Sequence, residues 1–244
     1  MLETNGIVIS GMKYKESSKI LTVYTKNYGK VKVMAQGVLR PKSNALASTG
    51  IFALSSWNLR KGKTFHYIES VDLIDSFYTI RNSMERMIFG FYALELLDKS
   101  TPDEEENEVL FSLLEKFMGI LKNEDNLLAL LVAYELKFAS FIGYRPHLDS
   151  CVDCGNMNFD IWEFDNTKGG IICPSCRKIS KDKITQKEVH QMKCLLMSKL
   201  EEVNNIEISQ EVLWSIHNRM SQHLLYNLGI RELKSLSMIS QGLF

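Results

Sequence analysis

Apolar and polar positions alternate with period two through residues 4–76, and from Ile80 onward the apolar positions recur at helical spacing instead. The first pattern predicts strands at 6–10, 19–25, 30–34, 50–54 running on to 57–59, and 64–68, all rich in β-branched or aromatic residues. Asn27-Tyr28-Gly29 and Lys61-Gly62-Lys63 read as the turns between them. Five short strands with no long helix among them predict a small closed barrel, of the OB-fold or SH3-like type.

The second pattern predicts helices. Ile80, Met84, Met87, Phe91 and Leu94 mark one helix face. Thr101-Pro102-Asp103-Glu104 then reads as a capping box opening a second helix, with the acidic run 103–106 as its solvated, favourably charged start. A third helix is expected from Asn126 to Ile142, stopped by Gly143. Thr185-Gln186-Lys187-Glu188 is another capping box, predicting a helix through Leu200. A last long helix is expected over 210–228, ended by Gly229, with a final turn over 230–239. The fold class is therefore α+β: a barrel over 1–78, then a helical domain over 79–146 and 179–244, interrupted by a separate segment at 147–178.

That segment carries Cys151-Val152-Asp153-Cys154-Gly155 and Cys173-Pro174-Ser175-Cys176. Two Cys-x-x-Cys turns at this separation supply the four thiolates of a tetrahedral zinc site, so Cys151, Cys154, Cys173 and Cys176 are the expected ligands of one Zn2+ in a zinc ribbon. A closed four-sulfur site leaves no coordination position for water, which makes the metal a structural brace. The zinc-deaminase pattern is absent: no histidine is followed two positions later by glutamate. The fifth cysteine, Cys194, lies in an apolar helical run and is expected to be buried.

Charge changes the picture next. The 244-residue chain has net charge zero, yet residues 1–80 hold eleven Lys/Arg against five Asp/Glu, while residues 81–150 hold seven against thirteen. Between Met12 and Gly62 stand ten basic residues and a single acid, Glu16. Such a barrel suits a polyanion. Its candidate nucleic-acid contacts are Lys13, Lys15, Lys30, Lys32, Arg40, Lys42, Arg60, Lys61 and Lys63, with Lys30 and Lys32 on one face of a strand. Tyr14, Tyr24, Tyr28 and Trp57 are interleaved; some could stack on bases, although most aromatics in so small a barrel belong to its core. There is no phosphate-binding Gly-x-x-x-x-Gly-Lys-Ser/Thr, no Gly-x-Gly-x-x-Gly and no Gly-x-Ser-x-Gly, so an ATP-driven motor is excluded and no enzyme is expected. A nuclease would need converging carboxylates, and these cluster at helix starts. Met1-Leu2-Glu3-Thr4-Asn5 has neither the basic start nor the apolar run of a signal peptide, and the most apolar stretch, 127–132, is too short to span a membrane, so a cytoplasmic protein without membrane association is expected.

Residues 14–25 (YKESSKILTVYT), Tyr28-Gly29 and 36–43 (QGVLRPKS) resemble the N-terminal OB domain of the bacterial recombination mediator RecO family. Residues 134–151 (YELKFASFIGYRPHLDSC), with Cys154-Gly155 and 169–176 (GGIICPSC), resemble that family's passage from its central helix into its zinc motif. Leu39 departs from the pattern, where many relatives carry a basic residue. The resemblance implies an OB-fold barrel with Arg40 and Lys42 in its basic loop, and a protein that binds and anneals single- and double-stranded DNA. It implies RecR and the tail of single-strand-binding protein (SSB) as partners, help in loading RecA onto SSB-coated strands, and a place at the nucleoid. The alternative from the residues alone is a general zinc-ribbon nucleic-acid module tied to RNA or transcription.

Overall fold

In a computed structural model, residues 1–177 and 183–242 are described; the expected ribbon end at 178 and the start of the second helical stretch at 179 fall outside them. The chain divides into two compact units, residues 1–123 with 233–244, and residues 124–232. The expected boundary at 78/79 lies inside the first unit, and the expected helical domain is divided between the two.

The first unit is built on β1 (Leu2–Tyr14), β2 (Ser18–Thr25), β3 (Gly29–Ala35), β4 (Leu54–Lys61) and β5 (His66–Asp75), closed into a barrel in the order β1-β2-β3-β5-β4. All pairings are antiparallel except β3 with β5. That parallel closure decides for the OB-fold. The expected strand at 50–54 begins only at Leu54: Gly50 to Ala53 turn the chain, with Phe52 in the left-handed region at φ 75°. The fifth strand is longer than its alternation suggests, because residues 69–75 run largely exposed along β4.

Val8, Leu21, Val23, Val33, Trp57 and Leu59 fill the barrel. Gly6 makes room for the indole: a β-carbon there would sit 2.6 Å from Val23 Cγ1 and 3.2 Å from Trp57 Cδ1, and the Gly6 carbonyl accepts the indole N–H at 3.1 Å. The outer face of β1 and β2 is buried as well, by α1 (Met84–Ser100) and α2 (Glu108–Leu121); the rings of Tyr24 and Phe111 stack at 6.5 Å. Burial, with the nearby charge of Glu105, pushes the Tyr24 phenol up to about 12. Near the end of the chain, the short α6 (Lys234–Ser240) returns to this unit. Glu95 of α1 accepts the backbone N–H groups of Lys234 and Ser235 at 3.1 and 2.9 Å.

In the second unit, α3 (Leu127–Phe141) is buried almost all round, so it is the central rod against which α4 (Gln186–Met197) and α5 (Gln210–Leu228) pack. Asn126 caps α3 and Gly143, at φ 89°, ends it. Inside, Glu135 Oε1 lies 3.0 Å from His217 Nδ1. The Thr185–Glu188 capping box forms with both reciprocal bonds, and Gly229 closes α5 in the left-handed region. α4 stops at Met197; Leu200 belongs to a following 3-10 turn. Cys194 is half-buried, not enclosed, with its sulfur 3.5 Å from His190 Nε2 one turn earlier. Between α3 and α4 lies a small sheet in the order β7-β6-β8, from β6 (Ile161–Asp165), β7 (Gly170–Ile172) and β8 (Lys183–Thr185). Among the described residues, no helix is long and apolar enough to cross a membrane.

The Gly6→Ala variant should lose about 1–3 kcal/mol of stability, because Val23 and Trp57 have no room to yield. The check is a lower denaturant midpoint at unchanged slope.

Candidate nucleic-acid interface and metal centre

The acidic run of residues 103–106 is not a helix start. Thr101 closes α1, its N–H and hydroxyl both donating to the Leu97 carbonyl at 3.1 and 2.7 Å, and α2 opens at Glu108 under an Asn107 cap. The segment between them is laid on the barrel. Glu104 N–H donates to the Lys30 carbonyl at 2.9 Å, and the Glu105 backbone crosses so close to Gly29 that any side chain there would collide with it.

This strap takes up the positive charge at one end of the barrel. Lys30, only 8 % exposed, is 3.2 Å from Asp98 and 3.5 Å from Asp103, and donates to the Asp98 carbonyl at 2.6 Å. Lys61 pairs with Glu104 at 3.3 Å and Lys26 with Glu108 at 3.0 Å. Lys30 is thus held by two carboxylates and a carbonyl in a nearly closed site, which leaves its ammonium little to offer a phosphate. Arg60 also has a partner, Glu69 at 2.7 Å, while its guanidinium covers the Tyr67 ring. Lys32 is half-buried and donates to the Thr22 hydroxyl at 2.9 Å, so it shares a strand with Lys30 but not its fate. Lys63 is exposed on the β4–β5 turn.

The other end is different. From Lys19 to Thr25, β2 runs about 20 Å, and at its far end the β1–β2 hairpin projects with residues 11–16 exposed. Lys13 stands directly opposite Lys19 in the register. Like charges placed directly opposite are destabilising, and among the described residues neither takes an ion pair. The loop after β3 is fastened to this hairpin: Leu39 N–H donates to the Ser17 carbonyl at 2.9 Å and Gly37 N–H to the Ser18 hydroxyl at 3.2 Å. Leu39 packs partly on the barrel core, which gives the apolar departure from the family pattern an anchoring role. Gly37, at φ 66°, leaves space for the Arg40 side chain, whose Nε lies 3.4 Å from where a β-carbon would be. Lys13, Lys15, Lys19, Arg40 and Lys42 are so gathered at one end, the last two exposed. Lys19 lies outside the set expected from sequence; its place opposite Lys13 becomes readable only once the register is known. Tyr24 and Trp57 are core, Tyr28 is half-buried, and Tyr14 is exposed at the tip.

In the second unit the four expected ligands converge. The Sγ atoms of Cys151, Cys154, Cys173 and Cys176 all lie within 4.8 Å of one another, and Cys154 and Cys173 are 3.7 Å apart. A tetrahedral ion with metal–sulfur bonds of about 2.3 Å separates its sulfurs by about 3.8 Å, and a disulfide would hold them near 2.05 Å. None of the five cysteines is in a disulfide. Backbone geometry builds the site. Gly155 N–H donates to the Cys151 carbonyl at 2.9 Å, with Gly155 at φ 72°, and Cys176 N–H donates to the Cys173 carbonyl at 3.1 Å. The two knuckles are tied by Val152 N–H to the Ile171 carbonyl at 3.0 Å, while a side chain on Gly170 would meet the His147 carbonyl at 2.5 Å. Arg177 anchors the second knuckle to Asp165, whose carboxyl is held low, at about 2: burial opposes its charge, but Thr167, Lys168 and Arg177 together outweigh it.

The sulfurs themselves ask for a cation. Burial raises the Cys151 thiol, but donation from the backbone N–H groups of Cys173, Cys154 and Asp153 overrides it and leaves the thiol at about 6. Cys176 is pushed up to about 12, because it shares its proton with the Cys154 and Cys173 sulfurs. Four thiolates cannot crowd together unaided, and a bound divalent ion removes that cost.

A family model for the N-terminal part of recombination protein O matches residues 1–77, and one for its C-terminal part matches residues 81–237. Over 231 residues the chain is 31% identical to the DNA repair protein RecO of Alkaliphilus metalliredigens, covering 93% of this chain and 94% of the relative. It is 34% identical over 218 residues to that of Acetivibrio thermocellus, covering 87% and 86%. It is 29% identical over 243 residues to that of Pelotomaculum thermopropionicum, covering 99% and 94%.

Replacing the structural lysine, Lys30→Ala, should cost about 1–2 kcal/mol, reduced from a fully buried pair because Asp98 and Asp103 are partly exposed. Nucleic-acid affinity should stay at the wild-type value. Thermal unfolding and a binding titration on the same sample check both halves.

Proposed function

This chain belongs to the RecO family of DNA repair proteins, and on that footing we propose that it is a DNA-binding recombination mediator with no catalysis of its own. The observation that carries the reading is the cationic end of the barrel. Lys13, Lys15, Arg40 and Lys42 are exposed and Lys19 is half-buried beside them, with only Glu16 to oppose them. Phosphates answer that arrangement through release of their counterions, which needs no base sequence, so the barrel takes both single- and double-stranded DNA.

Two complementary strands held on cationic surface repel each other less and meet at higher local concentration. The protein therefore anneals them without nucleotide hydrolysis, in keeping with a chain that carries none of the common nucleotide-binding motifs. Its partners are RecR and the tail of SSB, and through them it helps RecA load onto SSB-coated single strands at the nucleoid in the cytoplasm. The metal is Zn2+, held by Cys151, Cys154, Cys173 and Cys176. Soft thiolate ligands in a tetrahedral set favour that ion, and four protein ligands leave no position for a reacting water. When bound, zinc locks the two knuckles together.

Neutralising Lys13, Lys19, Arg40 and Lys42 together should weaken binding to single-stranded DNA and flatten the plot of log affinity against log salt by about three units, from roughly 0.7 per phosphate contact. Neutralising Arg60 and Lys61, already paired with Glu69 and Glu104, should change that slope far less. A four-site variant with wild-type affinity and slope would move the DNA surface off this end of the barrel.

Elemental analysis should find zinc in the purified protein. The Cys173→Ser variant, or a strong chelator, should remove it and lower the unfolding temperature. Stoichiometric iron or nickel instead, or an unchanged unfolding temperature after zinc is stripped, would contradict the assignment.

A further inference from the structure

The hairpin tip offers more than charge. Along β1, Met12 and Tyr14 alternate with Lys13, so they lie on the opposite face of the two-stranded ribbon. Both are exposed, at 64 % and 39 %. The register sets Tyr14 against Ser18, whose hydroxyl accepts from Gly37 of the Arg40 loop. Lys15, in the left-handed region at φ 54°, brings its ammonium to 5.5 Å from the Tyr14 ring centre.

A large aromatic ring on a projecting ribbon gains nothing from solvent. Beside it stands the Lys15 ammonium, and on the opposite face of the ribbon Lys13 lies across from Lys19. One ligand satisfies both faces: a polyanion with unpaired flat rings along it. Bases of a single strand can stack on the phenol while the adjoining phosphate meets the Lys15 ammonium beside it. A duplex cannot use the ring, because its bases are already stacked inside. Of the other large aromatics of the barrel strands, Tyr24 and Trp57 are fully buried, and Tyr67 is half-buried beneath the Arg60 guanidinium.

We propose that Tyr14 is a base-stacking residue that gives the barrel a preference for unpaired nucleotides over duplex. The inference rests on the DNA-binding reading above and adds to it the class of strand selected and the residue that selects it.

The test compares three labelled ligands of equal length on the full-length protein: oligothymidylate, an abasic strand with the same phosphates, and a blunt duplex. Wild type should prefer oligothymidylate to the abasic strand. Tyr14→Ala should weaken oligothymidylate binding roughly 5- to 100-fold, the range for one stacked base, and should leave the abasic strand and the duplex unchanged. Tyr14→Phe, which keeps the ring, should restore the preference. Thermal unfolding of each variant verifies the fold, and a destabilised Tyr14→Ala protein is replaced in the comparison by Tyr14→Leu. If the variants keep the wild-type preference, or lose all three ligands equally, Tyr14 does not stack and the DNA-binding reading survives. If wild type binds none of the three, that reading falls and this inference with it.

Discussion

A lysine ammonium enclosed by two carboxylates decides how the barrel's charge is shared out. Lys30 lies at the start of β3, and Asp98 and Asp103 reach it from α1 and the segment after it. Once that pair forms, the chain from 101 to 107 must lie along the barrel, Lys61 and Lys26 find Glu104 and Glu108, and the bare glycine at 29 becomes a requirement of the crossing. Each surface pair is worth little alone. Together with the buried member they leave the opposite end of β2 as the place where positive charge stays uncompensated. The strap fixes where the barrel keeps its uncompensated positive charge.

Much of this was legible in the residues, and the failures have specific causes. Cysteine spacing carries its own geometry, so the four ligands needed no tertiary knowledge. Local caps were equally readable at Thr185 and Gly229, where every partner lies within one turn. Thr101 to Glu104 offered the same local signal and was misleading. Its residues bond to Leu97 on one side and to Lys30, about seventy positions away, on the other, and tertiary partners override a weak local preference. Composition likewise revealed a basic barrel but not which lysines were already engaged. Lys30 and Lys32 are indistinguishable by period-two logic; what separates them is a helix and a loop that arrive from elsewhere.

The second unit places its rigidity differently. Its central helix is buried on nearly every side, and its small sheet is stitched to the cysteine knuckles by main-chain bonds and by Arg177 to Asp165. A three-stranded sheet of such short strands has too little apolar surface to hold itself. Four sulfurs within 4.8 Å of one another offer what that surface lacks, since an ion among them would join the knuckles through bonds that need no large core.

The strap also has an effect at a distance. With acid paired to base at one end of β2 and five cations without an acidic partner among the described residues at the other, the barrel carries a permanent separation of charge. In the field of any polyanion such a body feels a torque before contact, which turns its hairpin end toward the negative charge.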